Sequence, residues 1–141
     1  MSRSSPMLLF DRSGPDWSSR SGIPITSRTE LQQTLRRLSE GAPRIFDLVS
    51  VDGTTLQFGT GGDFAFAQFF EPAVNGEGNR SAWVARAHAA RTDTEVEFVT
   101  AGTPTPIAPE YCLSIEELTR IAEFFLTSQQ RNPAVPWEKL Y

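Results

Sequence analysis

Few side chains in this chain are of types that support covalent or proton-transfer chemistry. There is one histidine, His88, and one cysteine, Cys112. A zinc centre needs several Cys or His ligands, so these two cannot build one, although a carboxylate-only metal site stays open. A thiolate nucleophile would need His88 to meet Cys112 in space, whereas a lone thiol in apolar surroundings is ordinarily packing. Asp93, Glu95 and Glu97 are spaced by two, so on a strand they share a face and repel one another. Acid–base pairs need environments that split their pKa values, and three carboxylates in an exposed row read more simply as a charged docking or solvent face. The run Gly59, Thr60, Gly61, Gly62 fails the dinucleotide fingerprint, because Phe64 stands where the third glycine belongs and no helix follows. It reads as a turn. Asn79-Arg80-Ser81 matches a glycosylation acceptor, which carries meaning only in a secreted protein. No catalytic residue, cofactor site or metal site is therefore expected. Trp83 and Trp137 remain as large handles, and Trp serves equally as buried core or as interface anchor.

Charge gives a stronger pointer than chemistry. The net charge is −4, yet residues 1–44 hold seven Arg against Asp11, Asp16, Glu30 and Glu40. Residues 45–79 carry Asp47, Asp52, Asp63, Glu71 and Glu77 with no Lys or Arg, and residues 92–119 carry six acids likewise unopposed. Such stretches repel phosphate, which disfavours direct nucleic-acid binding and favours a basic partner. An acidic surface also serves solubility alone. Residues 7–10 are too short for a signal-peptide core, and no apolar run approaches the ~18 residues of a membrane span. With a single cysteine and so no internal disulfide, the expected location is the cytoplasm.

The elements that must position these groups follow from period and punctuation. At 141 residues the chain suits one domain, and 39% hydrophobic with 21% charged residues is ordinary for a globular fold. Residues 1–24 are rich in Ser, Arg, Gly and Pro and read as a flexible segment in which 7–10 can add an edge strand. Residues 25–141 read as the domain. Ser27 and Glu30 form a capping-box pair, Leu31, Leu35 and Leu38 line one face, and Gly41 with Pro43 stops the helix, giving residues 28–39. The period then drops to two. Strands are expected at about 45–51 and 56–58, joined at Asp52-Gly53 by a tight turn with positive φ at both central positions. Gly61 and Gly62 make the next turn. Phe64, Phe66 and Gln68 then alternate against Ala65, Ala67 and Phe69 in a central strand, followed by strands at 83–89 and 95–100. After a proline-rich link, 102–109, a second capping box, Ser114 with Glu117, opens a helix over about 115–129 with Ile115, Leu118, Ile121, Ala122 and Phe125 on its core face. This order predicts an α+β fold: an antiparallel meander of about five strands with both helices on one face and the other face free.

The end of the chain carries a resemblance. Cys112-Leu113-Ser114-Ile115-Glu116-Glu117-Leu118, then Ile121-Ala122-Glu123-Phe124-Phe125, Arg131-Asn132-Pro133 and Val135-Pro136-Trp137 resemble the closing signature of the Imm1 immunity family of bacterial polymorphic toxin systems. There a capped helix ending in an aromatic pair precedes a polar link, a proline and a near-terminal Trp. The likeness spans about residues 25–140. Two departures stand out: the family often has a Gly between helix and proline, where this chain has Ser128-Gln129-Gln130-Arg131, and the 102–109 link is unusually rich in proline. Without that Gly the helix is expected to run on or to end without a left-handed cap.

The resemblance implies a non-enzymatic protein that binds a cognate bacterial toxin, in this family frequently a nucleic-acid deaminase. A deaminase needs a basic groove for the nucleic-acid backbone, and an acidic protein can fill it, steering encounter and excluding substrate. The expected partner contacts are Asp63, Glu71, Glu77, Glu95 and Glu97, with Trp83 as an apolar anchor. Two other classes remain: a small-ligand or enzymatic domain with a Phe-lined pocket between sheet and helices, and a chaperone or adaptor for a secreted effector.

Overall fold

The computed structural model describes residues 6–13, 22–74, 78–87 and 92–141, so Glu77 and His88 lie outside the described residues. Helix α1 spans Arg28–Ser39, where the sequence places it. Ser27 Oγ accepts from the Glu30 N–H at 3.1 Å. The reciprocal half of the expected box does not form, because the Glu30 carboxylate accepts instead from the Thr26 N–H at 3.0 Å, with the Thr26 hydroxyl close by at 3.3 Å. Helix α2, Ile115–Ser128, has the complete box: Ser114 Oγ accepts from the Glu117 N–H at 3.1 Å, and Glu117 accepts from the Ser114 N–H at 3.0 Å. It does not run on uncapped. Gln129 itself takes the left-handed conformation, φ 60 and ψ 26, and donates its N–H to Phe125 O at 2.7 Å, which satisfies a carbonyl that the helix end would leave open.

Among the described residues the chain forms nine strands, not about five: β1 (Met7–Asp11), β2 (Ile23–Ile25), β3 (Arg44–Val49), β4 (Thr55–Thr60), β5 (Phe66–Pro72), β6 (Asn79–Ala85), β7 (Val96–Thr100), β8 (Thr103–Ile107) and β9 (Trp137–Lys139). The order β2-β1-β3-β4-β5-β6-β9 contains the expected meander β3 to β6, with β5 in the interior. Proline hid two of the additional strands, β2 and β8. Pro24 lies in the outermost strand β2, and Pro104 and Pro106 lie in β8, which pairs only with β7. Proline is tolerated at a sheet edge because its missing N–H costs no ladder bond there, and the spacing of two turns both prolines outward together. The stretch read as a link is thus an edge strand followed by a 3-10 turn, Pro109–Tyr111. Residues 7–10 are not an edge either, since Leu8 pairs with Pro24 on one side and Val49 on the other.

The Asp52-Gly53 turn differs in type. Gly53 alone has positive φ, at +92°, and donates to Ser50 O at 3.0 Å, while the Ser50 N–H closes the loop onto Thr54 O at 2.9 Å. Five residues, not two, separate the paired Val49 and Thr55, so the strands do not need two left-handed residues in succession.

Both helices pack on one sheet face, as expected. Leu9, Leu48, Leu56, Phe58, Ala67 and Phe69 meet Leu31, Leu35, Leu118, Ile121, Ala122 and Phe125 in one buried cluster. Phe69 and Phe125 stand edge to face at 5.7 Å, and each large side chain there contributes roughly 1.5–3 kcal/mol. The opposite face is not free throughout. One end is covered by the β7–β8 hairpin, whose Phe98 packs on Ile45 and on Phe66, 5.1 Å between ring centroids. Gly59 makes that possible: a Cβ there would lie 2.2 Å from Phe66 Cε1 and 2.8 Å from Phe98 Cδ1.

Candidate partner-binding surface

A hollow of about 530 Å³ opens at the C-terminal end of α2. Cross-strand pairing builds its floor. Phe69 pairs with Trp83, and Ala85 with Trp137, so alternation puts the rings on the helix side of the sheet. Phe69 and Trp137 meet edge to face at 6.3 Å. The left-handed Gln129 turns the chain back over this floor, and the loop is fastened where Asn132 O accepts from Trp137 Nε1 at 2.9 Å and Asn132 Oδ1 accepts from the Ala134 N–H at 2.9 Å. Arg131 is thereby laid over the Trp83 ring, its guanidinium carbon 3.7 Å from the centroid, with Lys139 Nζ 5.6 Å from the same ring.

Glu71 stands on the rim. Its carboxylate accepts from Ser81 Oγ at 2.6 Å and from Arg80 Nη2 at 2.7 Å, and these bonds, the Ser81 hydroxyl first, hold its pKa below the usual glutamate value. Trp83 Nε1 is buried without a partner in good hydrogen-bonding geometry, so its small contribution to Glu71 is that of a nearby dipole, not of a formed bond. Asp52, across the cleft, is likewise kept acidic, first by the Ser50 hydroxyl and then by the Thr54 N–H.

The other expected contacts lie elsewhere. Glu97, in β7, and Glu95, just before it, are exposed on the hairpin that covers the opposite face, with Phe98 turned inward. Glu95 borders a smaller hollow of about 260 Å³ between β6 and that hairpin. Asp63 is exposed in the turn between β4 and β5, next to Gly61 and Gly62 with their positive φ. The structure therefore brings Glu71 and Trp83 together, sets Glu95 and Glu97 on the far side of the sheet, and leaves Asp63 apart from both groups.

Sequence reasoning missed the residues that finish these surfaces. Nothing in the sequence pattern singles out Arg80, whereas Arg131, three residues past the helix end and two before a proline, is placed to fold back on it. Also missed was a polar clamp: the Tyr111 hydroxyl donates to Glu138, which takes Arg86 at 3.3 Å, tying the 3-10 turn to β9 and the end of β6. The hydrogen bond to Glu138, followed by burial and the Glu138 charge, raises the Tyr111 pKa. Cys112 is fully buried, and burial, followed by the nearby Glu110 charge, raises its pKa, so it remains a thiol. Among the described residues no group of three or more His, Cys, Asp or Glu could hold a metal ion, and no helix is long and apolar enough to cross a membrane.

The family model described as Immunity protein Imm1 matches residues 19–139, from just before β2 to the end of β9. A comparison with curated proteins finds no match. With the match covering most of the chain, both helices and every strand but β1, the protein belongs to the Imm1 immunity protein family.

Proposed function

We propose that this protein binds a cognate bacterial toxin in the cytoplasm and neutralises it without chemistry of its own, by covering the basic groove in which the toxin, a nucleic-acid deaminase, holds its substrate. The family match over residues 19–139 carries this reading. Support for the electrostatic part comes from Glu95, Glu97 and Asp63, all exposed, in segments whose sequence holds no Lys or Arg. Exposed charges of this kind steer encounter and fix orientation, and one that becomes enclosed in the complex also slows dissociation. Glu71 and Trp83 contribute differently. The Glu71 charge is already engaged by Arg80, and Trp83 is capped by Arg131, so the cleft offers a partner a stacked arginine and an aromatic wall instead of a bare apolar anchor. Glu77 completes the proposed contacts.

Co-expression with the toxin encoded beside this gene tests the reading. Growth should be rescued and a complex should co-purify, with affinity on the order of nanomolar or tighter. No rescue and no complex would reject it. The 530 Å³ cleft is of a size that suits a small-molecule ligand instead. A melting temperature that rises with a metabolite or nucleotide would favour that alternative by mass action.

A further inference from the structure

We infer that the hollow between β6 and the β7–β8 hairpin is a slot for a single basic side chain, arginine or lysine, presented by the protein partner; this rests on the toxin-binding reading and deepens it. Phe66, Val84, Ile107 and Leu140 give the hollow its apolar lining, and Gln68, Tyr111 and Glu95 supply the polar part. At about 260 Å³ the hollow falls below the roughly 300–1,000 Å³ of sites that enclose a whole small ligand, but it has room for one long side chain. Arginine and lysine have the complementary form, an apolar stem ending in a cation, so the stem covers the walls while the head meets Glu95.

The surrounding charges select the sign of the occupant. Glu95 is exposed, and among the described residues no side chain bonds to it. Glu97 lies on the same hairpin, and residues 92–119 contain no Lys or Arg that could neutralise either one. Arg86, beside the lining residue Tyr111, is engaged by Glu138 and lies over the Tyr111 ring, 5.8 Å from its centroid. An anionic group would be repelled here, and an apolar one would leave Glu95 partly desolvated without a partner. The β8 edge cannot recruit a strand from the partner, since Pro104 and Pro106 remove two donors from it. This side of the molecule therefore recognises side chains and not backbone.

Two measurements decide the matter. In the complex with the toxin encoded beside this gene, Glu95→Gln should raise Kd about tenfold or more, chiefly through faster dissociation, whereas Glu97→Gln, at a residue that does not line the hollow, should change it less than about threefold. Independently of any toxin, titration of the isolated protein with Nα-acetyl-arginine amide should give saturable NMR shifts at Val84, Ile107 and Leu140. These should be absent with Nα-acetyl-glutamate amide and lost in Glu95→Gln. Wild-type affinity for Glu95→Gln, or no localised shifts with the arginine derivative, would overturn the slot. Should the wild-type chain bind no toxin at all, the toxin reading fails, and the titration still decides whether the slot takes a basic group.

Discussion

The guanidinium carbon of Arg131 lies 3.7 Å from the centroid of the Trp83 ring, joining the loop after α2 to the middle of β6. Both residues are half-buried, between the exposed and desolvated extremes of such contacts, so the stacking is worth about 1 kcal/mol. Arg131→Ala should lower the melting temperature by about 2–5 °C and change the tryptophan emission. Arg131→Lys should recover only part of the loss, because lysine keeps the charge and gives up the planar stacking. Equal melting of all three proteins would show that the contact contributes nothing.

The second core under the hairpin depends on one glycine. A methyl group on Gly59 would collide with Phe66 and Phe98, two aromatic rings that are both buried and so have little room to withdraw. Gly59→Ala should therefore destabilise the fold by about 1–3 kcal/mol or more, measured by urea denaturation. Phe66→Leu in the Gly59→Ala background should return part of that loss, as expected of residues sharing one space. A destabilisation that Phe66→Leu only deepens would place the strain elsewhere.

These two cases show what the sequence could and could not reveal. Both helices were legible to within a residue, because Ser27 and Ser114 mark their starts and the Leu and Ile spacing is purely local. The meander from β3 to β6 was legible because alternating Phe, Val and Leu are bounded by glycine turns. Strands β2 and β8 were hidden by Pro24, Pro104 and Pro106, since proline marks a break unless one already knows that the strand is an edge. The covering of the free face was hidden as well: nothing local to Phe98 says that it meets Ile45, 53 positions earlier. Of the candidate surface, Glu71 and Trp83 could be named from type alone. Arg131 could not, because its position depends on the left-handed turn at Gln129.

That turn gives a third prediction. A non-glycine residue in the left-handed region pays a steric penalty from its Cβ that glycine avoids. Gln129→Gly should stabilise the protein by about 0.5–1 kcal/mol, net of the greater chain entropy that glycine loses on folding. Gln129→Ala keeps the strain and should not stabilise. Chemical denaturation of the two variants beside the wild type would separate them, and destabilisation by glycine would mean that the Gln129 side chain holds the cleft in a way its backbone does not explain.

Acid should expose the remaining tie. Glu123 of α2 accepts from Gln32 Nε2 at 2.6 Å and Arg28 Nη2 at 2.8 Å, both of α1, and these bonds, the Gln32 amide first, hold its pKa below the usual 4.5. A carboxylate whose folded pKa is depressed adds stability that is fully present above its unfolded value and is lost as pH falls through the folded one. Stability should therefore decline below about pH 4.5, and Glu123→Gln should make that decline shallower while costing little near neutrality, because Arg28 is largely exposed and its attraction is screened. Glu71→Gln should act in the same direction through its Ser81 and Arg80 bonds. Urea midpoints measured from pH 3 to pH 7 test both. Acid limbs parallel to that of the wild type would show that neither carboxylate binds its proton differently in the folded chain.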